Sequence, residues 1–220
     1  MRVTLILADA ELEALPLSCD ASSEPPRVCR MTDQGLRGIH ILDSYLHKAL
    51  LEGLEDAERR GRPDIVHSFL VLAQNSQANR EGKLAVFIHT RGDEVIRVGR
   101  KAKIDQNYMA FLSMMSELLS QGHLGSGEER IRIDEHMTLA ALLHMLSPGL
   151  IIAMSPSGQQ VVLKQLLSEN EAKQVVIIIG GFPEGDYRSP VYRLADRSVS
   201  LGDELLTVPE VTAQVLSSIP

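Results

Sequence analysis

Two continuous apolar runs, Leu150-Ile151-Ile152-Ala153-Met154 and Val175-Val176-Ile177-Ile178-Ile179, decide the fold. Neither alternates apolar with polar residues, so both faces of each segment are expected to be buried, as in a parallel strand covered by helices. Residues 159–167 between them read as a helix, completing a β-α-β unit of an α/β fold with a parallel sheet. Each run ends in small residues: Ser155-Pro156-Ser157-Gly158 after the first, Gly180-Gly181-Phe182-Pro183-Glu184-Gly185 after the second. A third segment, 199–206, leads into a final amphipathic helix over 209–219 with Pro209 in its first turn. All three loops fall at strand C-termini, where open α/β sheets bind ligands. Gly180, Gly181 and Gly185 would let the backbone approach an adenine or ribose edge, although a plain tight turn explains them equally.

Outward from these runs, Val3-Thr4-Leu5-Ile6-Leu7-Ala8 reads as a buried strand, and a short helix is expected from Asp9 to Pro16. Residues 18–27 are turn-rich, 40–43 read as a strand end, and 45–54 carry helical spacing. Arg60-Gly61-Arg62-Pro63-Asp64 breaks that helix, and 65–73 begin another. Residues 84–90 and 94–98 flank Arg91-Gly92-Asp93 as a β-hairpin. An amphipathic helix over 108–119 precedes a flexible connection, 121–129, and Met114 and Met115 read as core filler.

The chain has 220 residues, 44% of them apolar, and 22 Lys+Arg against 29 Asp+Glu give a net charge of −7. This suits one ordinary domain or two small ones, large enough to fold without disulfides or a structural metal. The composition excludes disordered, collagen-like and disulfide-scaffold classes. Cys19 and Cys29 lack CxxC spacing, which argues against zinc and for a reducing compartment or incidental thiols. No apolar run approaches the length of a membrane span, and the apolar N-terminal stretch soon meets Asp9, Glu11 and Glu13. A cytoplasmic protein without a targeting segment is expected, with no membrane and no metal among its partners.

Charge is unevenly distributed. Residues 59–103 hold ten basic side chains and four acidic ones, a net +6, and the remainder of the chain carries −13. That segment offers a dock for a polyanion such as RNA, or is simply a solvated charged face.

Neither GxGxxG nor GxxxxGK[ST] occurs, and GxSxG and HExxH are also missing. His67, His89, His136 and His144 fall in separate elements and read as structural. Arg62-Pro63-Asp64 is more suggestive, because Pro63 fixes a turn in which Arg62 and Asp64 pair. Such a pair either aims a guanidinium at phosphate or a base edge, or only fixes a loop.

Several strings together resemble the ribosomal RNA pseudouridine-N1-specific methyltransferases, the nucleolar-essential-protein family of the SPOUT superfamily, in its archaeal form. They are the opening VTLILADAELEALP, Ile41-Leu42-Asp43-Ser44 with His47, and RGRPDIVH at 60–67. The Asn79-Arg80 turn, Ile88-His89-Thr90-Arg91 and Ile179-Gly180-Gly181-Phe182-Pro183-Glu184-Gly185-Asp186 complete the match.

The resemblance implies a trefoil-knotted α/β fold, with 1–220 as one SPOUT methyltransferase domain, a β-hairpin extension and a basic RNA-binding extension at about 59–103. It implies a homodimer that binds S-adenosyl-L-methionine through Gly180, Gly185, the backbone of Leu201, Gly202, Asp203, Glu204, Leu205 and Leu206, and the loop containing Ser155 and Ser157. For the RNA it implies Arg62 as a contact steadied by Asp64, with Arg80, Arg91 and Lys103 as neighbours. The implied reaction is N1-methylation of pseudouridine in small-subunit ribosomal RNA, in which Asp64 is also the candidate proton acceptor. Alternatives are a non-catalytic RNA-binding assembly factor and a methyltransferase acting on pseudouridine in transfer RNA. The sequence departs from the family pattern where Gln106 and Ala110 stand in place of two arginines, where Asn75 precedes Ser76, and at Pro209-Glu210.

Overall fold

A computed structural model describes residues 1–15 and 40–220. Cys19, Cys29, Pro16 and the turn-rich stretch 18–27 lie outside the described residues. One eight-stranded sheet organises the rest: β1 (Arg2–Ala10), β2 (Leu84–Thr90), β3 (Val95–Val98), β4 (His123–Leu124), β5 (Ile131–Asp134), β6 (Leu150–Gln160), β7 (Gln174–Gly180) and β8 (Arg197–Ser200). Their spatial order is β4-β5-β3-β2-β1-β7-β6-β8. The five strands from β2 to β8 run parallel, and β3, β5 and β4 extend the sheet antiparallel from β2. The expected α/β class, parallel sheet and hairpin are all present.

The continuous apolar strands are explained by burial on both faces. Along β7, Val175, Ile177 and Ile179 join one core with Leu5 and Leu7 of β1. Val176 and Ile178 join a second core with Ile6 and Ala8. Alternate side chains point to opposite faces of a strand, so a strand between two helical layers needs no polar positions. Each such side chain, fully buried, stabilises the fold by about 1.5–3 kcal/mol.

The first helices are α1 (Lys48–Leu51), α2 (Pro63–Asn75), α3 (Gln77–Arg80) and α4 (Tyr108–Gln121). α2 starts where Pro63, at its first turn, needs no N–H partner. It buries Ile65, Val66, Phe69, Leu70 and Ala73 against the sheet. The later helices are α5 (Leu139–Leu146), α6 (Leu163–Glu169), α7 (Val191–Leu194) and α8 (Val208–Ser218).

Four sequence expectations need correction. No helix follows Asp9, which sits in β1 with φ +51. Beyond it, the backbone of Glu11 bonds distant segments, donating to the Gly181 carbonyl and accepting from the Arg62 N–H, instead of making helical i→i−4 bonds. The helix expected over 45–54 is reduced to α1, because Asp43 Oδ1 accepts from the N–H groups of Tyr45 and Leu46 at 2.8 and 2.9 Å and holds a turn. The connection 121–129 contains β4 and a 3₁₀ turn, Gly127–Glu129. Finally, 155–158 form a bulge inside β6, and Gln159 and Gln160 pair with β8 before α6 starts at Leu163.

Candidate cofactor and RNA site

A cavity of about 750 Å³ opens at the C-terminal ends of β6, β7 and β8. Residues 154–157 form one wall, 179–180 and 182–187 a second, and 199–201, 204–209 and Val211 a third, with Arg62, Asp64, Ile65 and Ser68 from the start of α2 at the rim. Three loops from neighbouring parallel strands thus converge on one space, the placement expected of a ligand crevice in an open α/β sheet.

Close packing fixes two of these loops. A Cβ on Gly158 would lie 2.6 Å from the backbone of Val199, so β6 and β8 approach only because that side chain is absent. A Cβ on Gly181 would lie 2.7 Å from Ala10 Cα. Glycine at 181 is therefore required by packing on β1, a different reason from the expected close approach of a ligand. Gly185 adopts φ +81, a conformation that glycine takes without strain.

Polar contacts hold the segment that follows. Asp9, buried at the end of β1, accepts from Arg188 N–H at 2.7 Å, Ser189 N–H at 3.0 Å and the Ser189 hydroxyl at 2.6 Å. Between these anchors, the Tyr187 hydroxyl donates to the Met154 carbonyl at 2.8 Å, tying the second wall to the first. Burial, with Tyr192 and the carboxylates of Asp9 and Asp186 adding to it, pushes the Tyr187 phenol up, so it stays a neutral donor. Tyr192 donates to Asp186 Oδ1 at 2.7 Å and lies 3.0 Å from the Ser155 hydroxyl. Asp186, Tyr192 and Ser155 therefore place an acceptor and two hydroxyls on the cavity wall.

At the rim, Arg62 Nε and Nη2 donate to the two oxygens of Asp64, both at 2.8 Å. The pair expected from Arg62-Pro63-Asp64 is present and bidentate. Hydrogen bonding to Asp64 raises the Arg62 pKa further, so the guanidinium is always charged. The loop before it is pinned by Ser44 N–H donating to the Gly61 carbonyl at 2.8 Å. Tyr108 donates its hydroxyl to Asp43 Oδ2, and Asp43 N–H donates to His47 Nδ1 at 3.0 Å.

The family description "EMG1/NEP1 methyltransferase" matches residues 5–219. The chain belongs to the EMG1/NEP1 methyltransferase family. Its curated relatives include the ribosomal RNA small subunit methyltransferase Nep1 of Methanothrix thermoacetophila, 33% identical over 97% of this chain and 93% of that protein. Nep1 of Pyrococcus furiosus is 38% identical over 86% of this chain and 85% of its own length. The crystal structure of Archaeoglobus fulgidus Nep1 bound to S-adenosylhomocysteine superposes with a TM-score of 0.82 at 28% identity, covering 99% of this chain and 97% of that one.

As a member of the EMG1/NEP1 family the chain is a methyltransferase, and every cofactor residue expected from the sequence except Gly202 and Asp203 lines the cavity. The Gly202 carbonyl instead accepts from the Ser200 hydroxyl at 2.7 Å and shapes the turn after β8. Sequence reading assigns no site role to Asp9, Tyr187 or Tyr192; Asp9 lies within a matched string and Tyr187 beside one, and Tyr192 carries no signal.

The basic segment behaves differently from its expectation. It is no extension, since it supplies α2, α3 and two strands of the central sheet. Eight of its ten basic side chains form ion pairs within the chain; among the described residues only Arg80 and Lys103 do not. Arg91 is only 15% exposed and is held by Glu11 and Asp56, so its guanidinium is not presented to a phosphate. Arg80 lies on α3, donating to the Asn75 carbonyl, and Lys103 is exposed beyond β3; neither lines the cavity. No cluster of metal-binding side chains, and no helix long and apolar enough to cross a membrane, occurs among the described residues.

Proposed function

We propose that this enzyme transfers a methyl group from S-adenosyl-L-methionine to N1 of a pseudouridine in small-subunit ribosomal RNA. The observation that carries the reading is the cavity, in which three strand-end loops meet the fixed Arg62 guanidinium. Its size suits a nucleoside cofactor. The donor set suits it as well, with apolar Ile179, Leu205 and Leu206 flanking the polar group of Asp186, Tyr192 and Ser155. That relatives are named ribosomal RNA methyltransferases, and that a related structure holds S-adenosylhomocysteine, supports the same reading. A trefoil-knotted chain path, a homodimer and a cytoplasmic location belong to this proposal.

When bound, S-adenosyl-L-methionine supplies a methyl group on a positively charged sulfur. That charge is lost as the methyl transfers, so a cation beside the sulfur would not help, and the chain's task is positioning in a water-poor site. Arg62 faces the RNA, its guanidinium plane fixed by the bidentate pair with Asp64. Phosphate or a base edge is its target. Tyr45, 92% exposed on the loop pinned to Gly61, offers a ring on which an unpaired base can stack. Each Asp64 oxygen accepts one N–H from Arg62, the bidentate geometry of an anchor. We assign Asp64 to steadying Arg62.

Transfer of labelled methyl from S-adenosyl-L-methionine to small-subunit ribosomal RNA, followed by mapping of the modified base, tests the reading. Asp64→Asn separates the two roles of Asp64. As an anchor, its loss weakens RNA binding while the saturated rate changes little; as the base, its loss lowers that rate by about 10²–10⁴ at unchanged RNA affinity.

A further inference from the structure

Glu11 is fully buried, with side-chain exposure of 0%, at the point where the cavity loop, the RNA rim and the basic segment meet. Its backbone N–H donates to Gly181 and its carbonyl accepts from Arg62. Its carboxylate lies between two arginines, accepting from Arg59 Nε at 2.6 Å and Arg91 Nη1 at 2.9 Å. Arg59 continues the chain of contacts into the cavity loop. Its Nη1 donates to the Asp186 carbonyl at 2.6 Å, and its guanidinium carbon lies 3.9 Å from the centroid of the Phe182 ring.

By charge alone Arg59 belongs to an RNA-docking patch. Its position contradicts that: the side chain is 11% exposed, and Nη2 is buried without a partner among the described residues, so no face is free to hold a phosphate. Arg59 instead touches the loop at both ends of its exposed part, Phe182 and Asp186. Gly185 lies between them, and a Cβ on it would come 3.3 Å from Arg59 Nη1. A planar guanidinium can serve a carboxylate, a carbonyl and an aromatic face together, which a lysine ammonium cannot.

We propose that Arg59 is a positioning residue for the methyl donor: anchored by Glu11, it fixes residues 182–186 in the shape that receives the cofactor. This rests on the cofactor reading above. Arg59 contacts neither cofactor nor RNA in this role and acts only through the loop.

The test compares wild type with Arg59→Met, which keeps an apolar stem on Phe182, and Arg59→Lys, which keeps a cation for Glu11. In ligand-free protein, hydrogen exchange of the 182–188 amides is expected to rise about tenfold or more in Arg59→Met, with 175–179 unchanged. S-adenosylhomocysteine binding, measured by calorimetry, is expected to weaken about tenfold to a hundredfold, the scale of one lost charge-assisted hydrogen bond. RNA affinity and its salt dependence should remain at wild-type values. Arg59→Lys should remain folded yet still show faster loop exchange, so the test survives if Arg59→Met fails to fold. Unchanged loop exchange in the folded variants overturns the proposal. So does a fall in RNA affinity, with the salt slope reduced by about one, at unchanged cofactor binding. Wild type that fails to bind S-adenosylhomocysteine sinks the cofactor reading instead, and loop exchange still decides the role of Arg59.

Discussion

The two sides of the cavity are held by different forces. On the β6–β7–β8 side, backbones meet where Gly158 and Gly181 have no Cβ, and apolar strands are buried on both faces. On the α2 side, charge pairs do the holding: Glu11 with Arg59 and Arg91, Arg60 with Glu13, and Arg62 with Asp64. The first side should respond to side-chain volume and ignore salt. The second should respond to removal of single charges, strongly where the pair is buried and weakly where it faces water.

The largest effect is expected from Glu11→Ala. Leaving Arg59 and Arg91 without their shared buried partner should cost about 3–5 kcal/mol in chemical unfolding, with little change between low and high salt. An equal loss from Arg62→Ala, whose partner Asp64 is 49% exposed, would break the distinction between buried and rim pairs. On the opposite wall, Gly158→Val forces β6 from β8 and should cost about 1–3 kcal/mol, with loss of S-adenosylhomocysteine binding by calorimetry.

Arg62→Ala should leave cofactor binding intact and weaken RNA binding about tenfold to a hundredfold. Lys103→Met, an exposed cation remote from the cavity, should reduce RNA affinity only slightly, with the salt slope lower by about one.

The pinned loop adds a pH test. Burial lowers the His47 pKa, opposed by the charge of Asp43 and a backbone hydrogen bond with it, and Nδ1 accepts from Asp43 N–H. The unfolded chain takes up a proton below its ordinary pKa near 6.5, whereas the folded chain resists it. This histidine therefore costs no stability above that pH, and stability is lost as pH falls through it. Melting scans of wild type and His47→Gln at pH 8 and pH 5.5 check this: wild type should lose more on acidification than the variant.

The sequence revealed the β6–β7–β8 side because its physics is local. An unbroken run such as 175–179, rich in β-branched residues and closed by glycines, reads as a strand buried on both faces, and the small residues after it mark the strand end that lines the cavity. The α2 side was legible only where pairing is local, as in Arg62-Pro63-Asp64. Glu11 meets Arg59 across 48 residues and Arg91 across 80, and Asp9 meets Ser189 across 180. Charge counted along the chain cannot register such pairs, so residues 59–103 read as a surface when most of their cations face carboxylates. The same long-range bonds explain why Asp9 and Glu11, with helix-like neighbours, form no helix.

Hydrogen exchange of the wild-type protein with and without saturating S-adenosylhomocysteine tests the central claim most directly. Protection confined to residues 154–157, 180–187 and 201–208 is the predicted result. Absence of binding would contradict the account. So would protection centred on the separate groove of about 550 Å³ between α2 and α8, around Val71, Asn75 and Leu216.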